Sequence, residues 1–269
     1  FTNSTSTSSS MLKAYVGKFV GRYQHSPSVF AWEIGNENNL HVDLDFGRLN
    51  MTEIDTSQGT PTHRSRADNV STANLVEFQH RVTAWIKAAD KHGHPISTGH
   101  STPRPSAWHL AQAYLQPGNS SRWEVDTEDQ FDETVALQAA GCDLVSFHYY
   151  GWVDNVRFGR TLGDPDSAAL FPFLVRAAQS AGKQWYIGEF GTRSPADRNF
   201  TLDLLDQLAT VKHGPVLATM WTWEFSWQPN ITVDPHDGRA GDKAVIQKIR
   251  AVNAKLQKSG LADRGREFG

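Results

Sequence analysis

Two glutamates follow apolar segments of this sequence that have the character of buried strands. Glu37 ends the segment of residues 30–37, and Glu189 lies in the segment of residues 185–191. A carboxylate at the end of a buried strand is costly unless it is paired or used. Two carboxyl groups facing one cleft can supply the proton donor and the nucleophile that displacement at a glycosidic carbon requires. We therefore expect these glutamates to form a catalytic pair.

Composition sets the broad class of the protein. The chain has 269 residues, 39% of them hydrophobic, which is enough for one sizeable core, so we expect residues 1–269 to form a single domain. The formal net charge of −3 gives no indication of a nucleic acid or an anionic membrane as partner. No apolar run is long enough to span a membrane as a helix. Cys142 is the only cysteine, which excludes an intrachain disulfide and a cysteine-based metal site.

Short apolar runs alternate with segments in which apolar residues recur at helical spacing. Because the runs are apolar on both faces, the alternation predicts a parallel sheet covered by helices. Ser10 is the expected N-cap of the first helix, and the polar segment of residues 39–69 is expected to be a long loop. The predicted strands are residues 29–34, 94–98, 144–147, 184–187 and 216–221, and the helical patterns are residues 12–23, 75–89, 131–139, 170–177, 202–209 and 244–256.

Polar and aromatic residues stand at the carboxyl end of each predicted strand. In parallel sheets covered by helices, the functional site forms at that end. The coincidence over five strands is a stronger signal than any single motif, and it predicts one cleft lined by all of these residues. They are Asn36 with Glu37, His100, His148 with Tyr150, Glu189, and Trp221 with Trp223.

Four of these elements, in this order, resemble the clan A glycoside hydrolases, which are (β/α)8 TIM barrels. Gly35-Asn36-Glu37 resembles their acid/base motif, and Ile187-Gly188-Glu189-Phe190-Gly191 resembles their nucleophile strand. His148-Tyr149-Tyr150 is similar to the His-X-Tyr element of the cellulase-like family 5, and Trp221-Thr222-Trp223 resembles its tryptophan-bearing last strand. The similarity extends over most of the chain.

The resemblance implies a barrel of which this chain supplies roughly units 4–8 and the helix before them. In that family the Asn-Glu strand is the fourth of eight, whereas here it is the first strand that the sequence predicts. The three earlier units, which should carry an arginine and a further histidine of the site, have no counterpart, so we expect the domain to be N-terminally incomplete. The strand of residues 29–34 would then be an open edge. A missing N-terminal barrel segment or a partner chain is expected to cover it.

The resemblance also implies roles for the site residues. Glu37 would be the acid/base and Glu189 the nucleophile of a retaining β-glycosidase that works by double displacement through a glycosyl-enzyme intermediate. Asn36 would hydrogen-bond the 2-hydroxyl of the sugar, with a turn residue as the alternative. Tyr150 would donate to Glu189. His148 would orient Glu37 or bind a hydroxyl, with a satisfied core histidine as the alternative.

Other residues keep two interpretations. His100 is equally compatible with a binding and a structural role. One of Trp221 and Trp223 is expected to form the sugar platform at the cleavage site, and Trp223 is preferred because it lies nearer the strand end. Trp152 either stacks on a more remote sugar ring or packs in the core. Glu33 is expected to pair with a basic group inside the barrel.

No metal or other cofactor is expected. Asp43 and Asp45 lack the glycine and the terminal glutamate of a calcium loop, and a solvated loop is expected there. Asn-X-Ser/Thr occurs six times, which fits a secreted, glycosylated protein if the source is eukaryotic. In a bacterial protein these motifs would carry no information, so the expected extracellular location rests mainly on a polysaccharide being the expected substrate. The six acceptor asparagines are Asn3, Asn50, Asn69, Asn119, Asn199 and Asn230.

The leading hypothesis is a glycosidase that hydrolyses a plant-type polysaccharide or oligosaccharide. β-Glucan (including cellulose) and β-mannan both remain open as substrates, as do internal and terminal cleavage. The alternative is a non-catalytic carbohydrate-binding fragment or inactive homologue, which would keep both glutamates without the arginine-bearing part of the site. A Schiff-base aldolase on the same barrel is disfavoured because no predicted strand ends on a lysine.

Overall fold

The protein contains a five-stranded parallel sheet that forms part of a (β/α) barrel. The computed structural model describes residues 3–45, 68–115, 122–154, 156–163, 167–191, 198–236 and 238–258. Within these residues, strand order in the main sheet follows chain order, and every pairing is parallel. The main strands are β1 (Trp32–Glu33), β2 (Ile96–Ser97), β3 (Leu144–Tyr149), β6 (Gln184–Phe190) and β7 (Ala218–Met220). Between β3 and β6 in the chain, β4 (Val156–Arg157) and β5 (Arg160–Thr161) form a small antiparallel hairpin.

Helices separate the strands of the main sheet along the chain. A 3-10 turn (Asn38–His41) follows β1 directly. None of the helices in the described ranges is both long enough and apolar enough to cross a membrane. The helices are α1 (Thr7–Tyr23), α2 (Thr72–Ala89), α3 (Ala107–Leu115), α4 (Glu128–Gln138), α5 (Gly151–Asp154), α6 (Phe171–Ser180), α7 (Asn199–Leu208) and α8 (Ala240–Lys258).

The predicted elements are all present, with different ends. The strand predicted at residues 29–34 is only Trp32–Glu33, and it pairs with β2 alone. In contrast, β3 and β6 extend beyond their predicted ends because they are paired with each other along their length. Helix α3 and the β4–β5 hairpin were not predicted. Of the long polar segment, residues 46–67 lie outside the described part of the chain.

Side-chain caps fix the starts of two helices, and they correct two expectations. Ser10 is not the N-cap of α1: the helix begins earlier, and the hydroxyl of Ser6 accepts from the backbone N–H of Ser9 at 3.1 Å. Asp43 is not solvated either, because it is buried and accepts from the N–H of Thr72 at 3.0 Å and from its hydroxyl at 2.6 Å. Asp43 thus satisfies donors at the first turn of α2.

The apolar core lies between the sheet and its helices in two parts. The larger part packs β3 and β6 against α4, α6, α7 and α8, and the smaller packs β1 and β2 against α1 and α2. Fully buried residues of the larger part include Phe147, Leu174, Ile187 and Leu204. The strands that carry His148 and Glu189 are therefore the most firmly supported part of the sheet.

Candidate active site

Glu37 is held at the carboxyl end of β1 by its backbone. Its φ of 55° lies in the left-handed region. Residues with a side chain rarely adopt this conformation, and those that do are often found at functional sites. Its N–H donates to the carbonyl of Gly99 at 2.8 Å, and its carbonyl accepts from Leu40 at 2.9 Å. A Cβ on Gly99 would come within 1.7 Å of the carbonyl oxygen of Gly35. Glycine at 99 therefore lets the segments after β1 and β2 touch, which anchors Glu37.

An irregularity between β3 and β6 positions the second glutamate. Phe147 pairs with Ile187, but His148 pairs with Glu189, so Gly188 is an extra residue in β6. Such a bulge changes the direction in which the following side chains point. A Cβ on Gly188 would lie 2.9 Å from Nε2 of His148. The absence of a side chain at Gly188 therefore makes room for the imidazole beside Glu189.

His148 connects the two glutamates. Its Nδ1 lies 3.0 Å from Oε1 of Glu37 and 3.5 Å from Oε2 of Glu189. One carboxylate oxygen from each glutamate and one ring nitrogen of His148 all lie within 4.8 Å of one another. The His148 side chain is 1% exposed, whereas Glu37 is 32% and Glu189 17% exposed. The structure thus brings both carboxyl groups to one half-open cleft with a buried imidazole beneath them.

Tyr150 completes the surroundings of Glu189. Its hydroxyl donates a hydrogen bond of 2.6 Å to Oε2 of Glu189. Burial, together with this contact to the Glu189 carboxylate, raises the pKa of Tyr150 far above its ordinary value. Tyr150 therefore stays neutral and remains a hydrogen-bond donor, which holds one Glu189 oxygen in place and leaves the other available.

The hydrogen bond from His148 lowers the pKa of Glu37, and burial acts in the opposite direction. For His148 to donate, its Nδ1 must carry a proton. A further hydrogen bond from the Ser101 side chain also lowers the pKa of Glu37. In this half-open cleft, Glu37 is therefore held in its carboxylate form.

Two residues that sequence analysis missed support the position of Glu37. Asn39 is buried, and its Oδ1 accepts from the N–H of Ser101 at 3.0 Å while its Nδ2 donates to the carbonyl of Ser101 at 2.8 Å. Asn39 thus joins the segment after β1 to the segment after β2. The same Ser101 provides the side-chain hydrogen bond to Glu37. The only signal for them in the sequence was their place just beyond two predicted strand ends.

His100 lies in a different environment from His148. It is buried, and its Nε2 lies 2.8 Å from the side-chain nitrogen of Gln79 on α2. Burial, followed by the effect of nearby His148, lowers the pKa of His100 to about 3, so its ring is neutral. This contact is of the kind that a structural histidine makes.

The two predicted sugar-platform tryptophans follow β7. The N–H of Trp221 donates to the carbonyl of Phe190 at 2.8 Å, which joins the start of this segment to the end of β6. The indole N–H of Trp221 donates to Oε1 of Gln228 at 2.8 Å. Trp221 is 37% and Trp223 45% exposed. Both residues lie at the same end of the sheet as Glu189.

The remaining predicted residues are less closely tied to the pair. Asn36 is exposed next to Glu37. Trp152 lies in α5, but its side chain is outside what the structure describes. Glu33 is exposed and accepts from the hydroxyl of Ser97 at 3.5 Å. Within the described ranges, Glu33 forms no ion pair with a lysine or arginine, so the expected basic partner is not found there.

Glu37, His148 and Glu189 also present three potential metal ligands at one point. The atoms concerned have other partners: Oε2 of Glu189 accepts from Tyr150, and Oε1 of Glu37 lies at Nδ1 of His148. Coordination through Nδ1 would require that nitrogen to lose the proton that it donates to Glu37. We therefore interpret the cluster as a carboxylate pair organised by hydrogen bonds.

Solved structures share this fold. The endo-β-1,4-mannanase from Thermotoga petrophila superimposes with a TM-score of 0.53 at 16% identity, over 90% of this chain and 49% of that one. The exo-β-1,4-mannosidase Op5Man5 from Opitutaceae bacterium strain TAV5 superimposes with a TM-score of 0.53 at 17% identity, over 92% of this chain and 40% of that one. No protein-family model and no curated protein matches the sequence.

These similarities establish the fold. The chain has a partial (β/α) barrel that is similar to part of each of these two structures, so the expected fold class is confirmed. The chain spans less than half the length of either of these two solved structures.

Proposed function

We propose that the protein is a retaining β-glycosidase acting on a β-linked plant-type polysaccharide or oligosaccharide, with Glu37 as acid/base and Glu189 as nucleophile. The observation that carries this proposal is the bridge of His148 between the two glutamates, whose nearest carboxylate oxygens lie within 4.8 Å. Retaining enzymes hold their carboxyl groups ~5–5.5 Å apart, whereas inverting enzymes need ~6.5–9.5 Å to admit a water molecule. The short separation supports retention.

The proposed reaction has two steps. In the first, a Glu189 oxygen attacks the anomeric carbon while the Glu37 carboxyl gives its proton to the departing glycosidic oxygen, so that a glycosyl ester forms on Glu189. In the second, Glu37 takes a proton from a water molecule that attacks the same carbon, and the ester bond to Glu189 breaks. Tyr150 holds Glu189 through both steps.

The first step requires Glu37 to be protonated, although its hydrogen bond from His148 lowers its pKa. A sugar bound over the cleft would remove Glu37 from water, and desolvation raises the pKa of a carboxyl group. Glu37 is one-third exposed here, so substrate binding has solvent to displace. We therefore propose that substrate itself brings Glu37 into the protonation state for the first step.

β-Mannan is the first substrate to test. The two solved structures described above are named an endo-β-1,4-mannanase and an exo-β-1,4-mannosidase. β-Glucan is the second substrate to test. The experiment therefore uses soluble β-mannan, soluble β-glucan and the aryl β-mannoside and β-glucoside.

The test compares the chain with Glu189→Gln, Glu37→Gln and the control Glu77→Gln. Glu77 is an exposed residue of α2, paired with Arg81 at 2.6 Å. We expect Glu189→Gln to lose about 10³-fold or more of the rate on every substrate. Glu37→Gln should lose most on polysaccharide and least on aryl glycosides whose leaving group needs no proton. Unchanged hydrolysis by Glu189→Gln would overturn the proposal.

A second candidate function is carbohydrate binding without cleavage. The observation that favours it is the open side of the sheet, where β1 has no partner beyond it in the described residues. A cavity of about 620 Å³ lies there, between α1 and the inner face of the sheet. Beside it, α1 exposes a stripe of apolar side chains, namely Met11, Tyr15, Phe19 and Tyr23, at 67%, 60%, 42% and 42%. Enzymes with this fold normally work as closed barrels.

We also propose that further β/α units, from the same protein or from a partner chain, cover β1 and the α1 stripe. The two candidate functions separate on the 269-residue chain itself. If it binds β-1,4-mannohexaose and releases new reducing ends, the glycosidase proposal holds for this chain alone. If it binds the hexasaccharide but releases none during prolonged incubation, the second candidate holds.

A further inference from the structure

A buried ion pair lies beside the carboxyl end of β3. Asp154, the last residue of α5, and Arg157, the last residue of β4, are 2% and 3% exposed. The guanidinium of Arg157 donates to the Asp154 carboxylate. A buried ion pair adds little stability over an apolar pair of similar size, because both charges must leave water. Stability alone therefore does not explain why a charged pair lies here.

The buried pair joins two segments of the candidate site. The guanidinium of Arg157 also donates to the carbonyl of Pro103, in the segment after β2. The carboxylate of Asp154 accepts from the backbone N–H of Tyr150, directly after β3. The guanidinium lies 5.9 Å from the ring centre of Phe131, a core residue of α4, which also fixes its place. Arg157 and Asp154 thus connect the ends of β2 and β3 through their side chains.

The end of β3 carries two side chains that contact Glu189. The carbonyl of His148 accepts from the hydroxyl of Thr102 at 2.7 Å and from the N–H of Thr102 at 3.3 Å. Tyr150, two residues further on, donates its hydroxyl to Glu189 at 2.6 Å. Residues 148 and 150 are thus both tied to the segment after β2, one directly and the other through the buried pair.

The second arginine of the β4–β5 hairpin makes a different contact. The side chain of Arg160, in β5, is 56% exposed and pairs with Glu128 in the first turn of α4. Arg160 therefore ties the hairpin to a helix at the surface, whereas Arg157 ties it to the backbone of Tyr150 in the interior. The hairpin thus provides a matched control for Arg157.

We propose that Arg157 is a positioning residue of the cleavage site, which acts through Asp154 and the backbone of Tyr150 on the orientation of Glu189. A donor that orients an attacking carboxylate must itself be held in place, because a misplacement of about 1 Å can cost about 10²-fold in rate. The inference rests on the proposed function and deepens it, since it concerns the same nucleophile. It adds that the β4–β5 hairpin takes part in orienting Glu189.

The test follows the side-chain carboxyl-carbon resonance of Glu189 by NMR, which needs no turnover. Glu189→Gln assigns this resonance, and Tyr150→Phe gives the displacement caused by loss of the hydroxyl. The double variant Asp154→Leu/Arg157→Met removes both buried charges together, so neither is left without its partner. It should fold and should displace the resonance in the same direction as Tyr150→Phe, at least half as far. The control Arg160→Met should leave the resonance where the parent has it.

Two further variants separate positioning from a purely structural role. Arg157→Lys keeps a cation beside Asp154 but lacks the fork that reaches two acceptors, so it should give a smaller displacement. It tests the inference even if the double variant does not fold. In a Tyr150→Phe background the double variant should add no displacement, because the hydroxyl through which it acts is absent. In an active chain the double variant should lower kcat about tenfold and leave KM within about twofold.

Several results would overturn the inference: a folded double variant or, failing that, an Arg157→Lys variant with an unmoved Glu189 resonance, an equal displacement in Arg160→Met, or an undiminished displacement in the Tyr150→Phe background. The outcome is separable from that of the proposed function. If the resonance moves as expected but the unsubstituted chain cleaves no glycan, the positioning of Glu189 holds and the glycosidase proposal fails. If the chain cleaves but the resonance does not move, the reverse is true.

Discussion

The hydroxyl of Tyr150 lies 2.6 Å from Oε2 of Glu189. Tyr150 directly follows β3, and Glu189 lies in β6, the strand paired with β3, so the register of the sheet sets this distance. Because the two strands pack in the larger part of the core, the carboxylate is held by the most firmly supported part of the fold.

Removing this hydroxyl should slow the reaction without abolishing substrate binding. A hydrogen bond to a charged group contributes about 1.5–3 kcal/mol, so Tyr150→Phe should lower kcat by about 10- to 100-fold with a smaller change in KM. Steady-state kinetics on an aryl β-mannoside measures both. Tyr114→Phe, at an exposed position of α3, is the control. An unchanged kcat in Tyr150→Phe would show that the contact has no role in the reaction.

The hydrogen bond from His148 should control the ionisation of Glu37. Because this bond lowers the pKa of Glu37, His148→Ala should raise that pKa. A general acid must be protonated, so the alkaline limb of kcat/KM should move to higher pH. NMR titration of the Glu37 carboxyl measures the pKa directly, whether or not the chain is active. His148→Asn keeps an N–H donor and should shift the pKa less. A lowered or unchanged Glu37 pKa in His148→Ala would contradict this account.

A side chain at position 188 should destabilise the protein and disturb the site. A Cβ there would meet both Nε2 of His148 and Oγ of Ser146 at 2.9 Å, so Gly188→Ala should push the imidazole away from Glu37. We expect a loss of about 1–3 kcal/mol in the free energy of unfolding, with a fall in activity. Gly17→Ala is the control, because nothing lies within 4 Å of the added methyl in α1, and it should be neutral or stabilising by up to about 1 kcal/mol. Equal effects of both substitutions on denaturant unfolding would contradict the packing argument.

Asp242 should matter more to stability than an exposed acidic residue does. It is fully buried between Arg198 at 2.6 Å and Arg239 at 2.8 Å, so Asp242→Asn leaves two cations without their counter-charge. We expect a loss on the order of 3–5 kcal/mol in the free energy of unfolding. Asp206→Asn, which breaks a more exposed pair with Lys248, should lose about 1 kcal/mol or less. Similar unfolding midpoints for the two variants would show that the buried cluster does not hold the segment after β7.

The order of elements could be predicted from the sequence because each carries a local signal. Apolar runs and helical periodicity indicated the alternation, and the fold class follows from it. Strand ends indicated which side of the sheet would hold Glu37, His148 and Glu189, since parallel strands have their carboxyl ends on one side. The family resemblance gave the proposed roles, which remain predictions.

What the sequence could not indicate depends on strand register and on contacts between distant segments. The bulge at Gly188 changes the alignment of β6 with β3, and a glycine in a strand has several possible causes. Asn39 and Ser101 meet only because Gly99 allows two segments to approach closely. The polar sequence around Asp43 predicted a loop. In the structure, Asp43 accepts hydrogen bonds from Thr72 at the start of α2, which is a contact between distant parts of the chain. Such relationships become visible only when the strands are placed side by side.

The most direct test of the central claim is to trap the nucleophile. The chain is incubated with an activated β-mannoside or β-glucoside that carries fluorine in place of the 2-hydroxyl, which slows release of the glycosyl ester. Intact mass and peptide mapping then locate any adduct. We predict one added sugar per chain, on Glu189, and none in Glu189→Gln. Hydrolysis of aryl glycosides with no covalent adduct, or an adduct on another carboxylate, would contradict the account.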